Sequence, residues 1–103
     1  MNAYAPVDAM DERKAMRSVV SVAVDLHRQH YPSESAVMSD VSASGCRLRT
    51  EARISVGSFV TVTIPGLTDI GGWIAWHRGD QIGIDFTHEV PTQVTDGIIR
   101  IGR

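Results

Sequence analysis

The stretch Val20-Ser21-Val22-Ala23-Val24-Asp25-Leu26 decides the fold. Its large apolar residues fall at every second position, with small or polar residues between them. Successive side chains of an extended chain point to opposite sides, so this period belongs to a half-buried strand. A helix would need apolar residues at spacings of three and four. Valine branches at Cβ, which also favours the extended backbone.

The same alternation recurs along the chain. After a turn at Tyr31-Pro32-Ser33, a second strand is expected over residues 35–41. Ser42-Ala43-Ser44-Gly45 interrupts it, and Cys46 and Leu48 then alternate with Arg47 and Arg49 in a short third strand. Residues 51–57 read as a connection that ends in a turn at Val56-Gly57. A fourth strand spans residues 59–64, with Val60, Val62 and Ile64 on one face and Thr61 and Thr63 on the other. Pro65-Gly66 ends it, and Gly79-Asp80 separates a fifth strand (residues 70–78) from a sixth (residues 81–86). In the sixth, Ile82, Ile84 and Phe86 alternate with Gly83 and Asp85. Residues 91–101 predict a short helix with Pro91 near its start, which plugs or flanks the sheet. Val94, Ile98 and Ile101 are expected on its apolar face. Six short strands with regularly spaced turns predict an all-β antiparallel barrel or sandwich.

The 103 residues amount to one domain, and the 43% hydrophobic content fits a globular chain. Residues 1–12 read as a flexible tail, with a turn of helix expected near residues 8–13, and residues 13–103 as the domain. No apolar run approaches the roughly 20 residues needed to cross a bilayer. The N-terminus lacks the basic and apolar regions of a signal peptide, so a cytoplasmic protein without membrane insertion is expected. Cys46 is the sole cysteine, and the four histidines (His27, His30, His77, His88) show no zinc spacing, so neither a metal nor a cofactor is expected. Asp25 and His27 share a strand face with no serine or cysteine evidently aimed at them, so an enzyme is not expected either.

A net charge of −2 argues against coating DNA or RNA. A barrel that binds single strands would show exposed aromatics on a basic strand face, and here the aromatics are few. The basic residues are nevertheless almost all arginine, with Lys14 the one exception. Arginine forks onto phosphates and guanine edges and stacks on flat rings. A GC-rich genome would give the same bias.

Two clusters carry candidate chemistry. Arg13-Lys14-Ala15-Met16-Arg17 places two arginines four apart just before the first strand. Asp40-Val41-Ser42-Ala43-Ser44-Gly45 lies where the second strand turns into the third. Either pattern alone is common. Taken in this order, each beside a strand, they resemble the PilZ family, whose domains carry R-x-x-x-R followed by [D/N]-x-S-x-x-G. The likeness runs from about Glu12 to Glu89 and takes in Gly72-Trp73-Ile74-Ala75-Trp76 and Gln81-Ile82-Gly83-Ile84-Asp85-Phe86.

The resemblance implies a six-stranded antiparallel β-barrel with a C-terminal helix, and a receptor or adaptor for the bacterial second messenger cyclic di-GMP. It implies that Arg13 and Arg17 take guanine edges and phosphates, that Asp40 accepts from the guanine N1–H and N2–H₂ edge, and that Ser42 bonds a base or phosphate. Gly45 would let the backbone turn and the ligand approach. Trp76 has two readings: it lines the ligand site, or it belongs to the barrel core. Trp73, Phe59 and Phe86 are assigned to packing, and Arg47 and Arg49 either extend the positive patch or are plain surface. The resemblance further implies that the N-terminal segment, residues 1–17, orders on binding and signals to a downstream protein partner. The alternative is an adaptor of the same fold that binds protein and no nucleotide.

Overall fold

The computed structural model describes residues 16–102. The first arginine of the R-x-x-x-R pair, Arg13, the expected tail and the turn of helix near residues 8–13 lie outside the described residues.

The chain forms β1 (Ser18–His27), β2 (Glu34–Val41), β3 (Gly45–Arg49), β4 (Phe59–Ile64), β5 (Thr68–Arg78), β6 (Gln81–Phe86) and a helix α1 (Thr92–Ile101). The strands close into an antiparallel barrel in the order β1-β2-β3-β6-β5-β4. β1 pairs with β2 along most of its length but meets β4 only over residues 25–27. The barrel and its helix are as expected, and the strand boundaries move by one or two residues.

Alternation explains the interior. Val20, Val22, Val24 and Leu26 of β1 are all buried, and so are Val60, Val62 and Ile64 of β4 and Ile82, Ile84 and Phe86 of β6. Met38, Cys46, Leu48 and Ile74 complete one continuous core. The connection between β3 and β4 adds to it, because Ala52 and Ile54 point inward although no strand forms there. Thr50 holds that segment: its hydroxyl donates to the Ser35 carbonyl and accepts from the Ala52 N–H at 3.1 Å.

Four details differ from the sequence reading. The first turn centres on Gln29 and His30, ahead of Pro32, with His30 at φ 70° in the left-handed region. Phe59 and Trp73 lie outside the core. They are 47% and 48% exposed on the outer face of β4 and β5 and pack on each other edge to face, with ring centroids 5.0 Å apart. Gly83, on the outward side of β6, is buried. On α1, Ile98 is fully buried, while Ile101 is 51% exposed and Ile99 packs in its place. Gly102 lies so close to β1 that a Cβ there would stand 2.6 Å from Val22 Cγ2, so the helix end meets β1 through backbone.

Removing the helix's single fully buried anchor tests how far α1 supports the barrel. Ile98→Ala should cost about 2–5 kcal/mol, seen as a lower urea midpoint with an unchanged slope.

Candidate functional site

The site is made by two β-bulges. In β2, strict alternation would carry Asp40 to the inside with Ala36 and Met38. The pairing of β2 with β3 instead runs Met38↔Leu48, then Asp40↔Arg47, so one extra residue enters between them. A bulge of this kind re-aims the side chain beyond it. Asp40 turns outward, and Val41 turns inward opposite Cys46. In β5 the pairing runs Ile74↔Ile84, then Trp76↔Gly83, again with one residue inserted. Trp76 therefore leaves the inward phase of Ile74 and stands on the outer surface, which decides between its two readings against the barrel core.

The re-aimed residues fall in one row across four strands. Asp40 faces Arg47, Arg47 faces Gly83, and Gly83 faces Trp76. Gly83 makes the row continuous. A Cβ at this position would lie 2.1 Å from Trp76 Nε1 and 2.3 Å from Cε2, so only glycine lets the indole lie down on β6. Its burial is burial beneath Trp76.

At the other end of the row, Arg17 joins from the segment before β1. Its Nη1 donates to Asp40 Oδ1 at 2.7 Å, and Arg47 Nη2 stands 3.0 Å from Asp40 Oδ2. One carboxylate, 10% exposed, thus holds two guanidinium groups that are 45% and 42% exposed. Such half-exposed pairs contribute little to stability, and their effect here is to fix direction. The trio carries a net positive charge. Arg47 Nε is buried without a hydrogen-bond partner.

The loop between β2 and β3 is held from within. The Ser42 N–H donates to the Gly45 carbonyl at 2.8 Å, and the Ser42 hydroxyl, itself buried, accepts from the Ser44 N–H at 3.3 Å. Ser42 is thus engaged in keeping the turn. Gly45 also has a packing reason. Its φ is not in the left-handed region, and a Cβ would stand 2.4 Å from the Ile84 carbonyl oxygen. Close approach of β6 requires glycine there. Two further bonds pin the loop: Phe86 N–H to the Ser44 carbonyl at 2.8 Å and Val90 N–H to the Ala43 carbonyl at 2.9 Å.

The structure therefore brings Arg17, Asp40, Ser42, Gly45 and Trp76 to one side of the barrel. It adds Arg47, which the sequence reading left between patch and plain surface, and Gly83, which it passed over as a spacer. The signal for Arg47 was present: it stands two residues after Gly45, which places it outward beside Asp40 across the hairpin. Arg49, two residues further on, is exposed and takes no part in these ion pairs. No cluster of three potential metal ligands occurs among the described residues.

Two measurements test this geometry. Cys46 is 1% exposed, and burial, reinforced by the nearby Asp40 charge, pushes its thiol well above the ordinary range. The native chain should leave Cys46 unreactive to a thiol reagent at pH 8, and urea should release it. Gly83→Ala should unseat the indole, giving a changed near-ultraviolet dichroism and altered emission in a Trp73→Phe background. An unchanged spectrum would mean that Trp76 does not rest on β6.

No curated protein matches the chain. The family model for the PilZ domain matches residues 11–101, nearly the whole length and all of the geometry just described. PilZ domains are binding and adaptor domains generally associated with cyclic di-GMP. With its closed six-stranded barrel, its terminal helix and this match, the chain belongs to the PilZ domain family.

Proposed function

We propose that the chain is a cyclic di-GMP receptor that binds the nucleotide on the outer face of β2, β3, β6 and β5. The observation that supports this most is the cross-strand row of Arg17, Asp40, Arg47 and Trp76. Cyclic di-GMP offers two phosphates and two guanines. A guanidinium matches the O6 and N7 acceptors of guanine together and also pairs with phosphate. An indole lying on the barrel offers its outward face to a purine.

Asp40 takes part without giving up its arginines. A carboxylate has about four lone-pair sites, so two remain after Arg17 and Arg47 are bound. These can accept from the N1–H and N2–H₂ edge of guanine. Ser42 and Gly45 contribute by holding the loop that carries Asp40. Arg13, four residues before Arg17, adds a further cation to the same ligand, and binding draws residues 1–17 onto the nucleotide. A downstream protein reads the altered surface.

A different groove of about 430 Å³ lies on the barrel, lined among others by Asp25, Glu51, Asp80 and Arg49. Three carboxylates against one arginine repel a dianion, so charge favours the row with Trp76.

A second reading, an adaptor that binds protein and no nucleotide, is favoured by the exposed Phe59–Trp73 pair, since exposed aromatics are typical of protein contacts. Calorimetric titration separates the two. The nucleotide reading expects selective binding of cyclic di-GMP over GTP and cyclic di-AMP, at micromolar affinity or tighter, about −8 kcal/mol. Arg17→Ala should weaken it by on the order of 30- to 1,000-fold with the fold intact. Amide exchange over residues 8–17 should slow with ligand. Absence of heat and of thermal shift at high ligand concentration would leave the adaptor.

A further inference from the structure

We infer that Arg78, which lies outside both sequence motifs, is a ligand residue whose guanidinium closes over a purine stacked on Trp76, so that the base lies between indole and guanidinium. The inference deepens the nucleotide reading above and rests on it.

One side of the Trp76 indole is occupied by Gly83. Arg78, the last residue of β5, covers the ring, with its guanidinium carbon 5.4 Å from the ring centroid. That spacing is too narrow for a base. Two van der Waals gaps of about 3.5 Å need a separation of about 7 Å. The guanidinium must therefore withdraw to admit the base, a movement open to a long unbranched side chain. Arg78 is exposed and has no acidic partner among the described residues, so nothing there opposes the movement.

The space beside the indole suits such an occupant. Arg47, Trp76, Arg78, Gly79 and Gln81 line a groove of about 550 Å³ with two cations and no carboxylate in its lining. Volumes of this order hold small organic ligands. A guanidinium is planar and weakly hydrated, and it stacks on a purine as readily as on an indole. In the unliganded chain Arg78 thus covers the surface on which the base is to lie, and in the complex it becomes the second plane.

The test is a double-mutant cycle read by calorimetry with cyclic di-GMP on the full chain, its Arg78→Ala and Trp76→Leu variants, and the double variant. Arg78→Ala should weaken binding by roughly 3- to 30-fold. In the Trp76→Leu background the same change should cost less than about twofold, because the sandwich needs both planes. Equal affinity of the wild-type chain and Arg78→Ala overturns the inference. Equal losses in the two backgrounds also overturn it, since they mark Arg78 as a plain charge near phosphate. Should Trp76→Leu abolish binding, a salt series decides. A loss on Arg78→Ala that persists as salt rises supports the stack, and one that fades with salt overturns it. Absence of binding by the wild-type chain removes the nucleotide reading and this inference together, a result distinct from either loss pattern.

Discussion

The structure depends on a conflict between the barrel and its surface. A strand of strict alternation dedicates every second side chain to the core, and the barrel needs nearly all of these to be apolar. Asp40 and Trp76 each stand two residues after a buried apolar residue, Met38 and Ile74. Left in phase, one would place an ion and the other an oversized ring in the interior. The inserted residues at Ser39 and Ala75 resolve both. Each reverses the phase of the strand beyond it, and in β2 the inward role passes to Val41. A site on the outside is thus bought with local irregularity on the inside, and the two irregularities fall where one row can join them.

Once outside, Asp40 sets the charge pattern of the surface. An isolated buried carboxylate is costly, and two guanidinium groups relieve that cost while becoming oriented themselves. The exposed half of each arginine then faces solvent from a fixed origin. On the proposed function, a polyanion would meet cations whose direction is already set, which lowers the ordering entropy that binding must overcome.

The fold was legible because it depends on repetition. Val20 to Leu26, Val60 to Ile64 and Ile82 to Phe86 each repeat one rule, and an error at one position leaves the pattern standing. The site was legible only as residue types in order, through Arg17, Asp40, Ser42 and Gly45. Its geometry was not, because a bulge leaves no mark in a period-two reading. Trp76 remained divided between core and surface for that reason. The packing demand on Gly45 was not legible, since its neighbour, the Ile84 carbonyl, comes from a strand almost 40 residues away in sequence. Gly83 was missed because a glycine among outward positions looks like a spacer until the ring that covers it is known. Phe59 and Trp73 read as packing residues, and the register of β4 with β5 makes that packing a pair on the outer face.

The seating of α1 has a consequence for how the molecule meets others. β4 reaches β1 only over residues 25–27, so the first half of β1 has no strand beside it on that flank. Unpaired strand edges invite backbone pairing with another chain, and that is a route to aggregation. The end of α1 lies against this half of β1, with Gly102 close to Val20, Ser21 and Val22. The helix therefore stands over the half of β1 that β4 leaves unpaired, and it is the part of the fold whose departure would uncover that half.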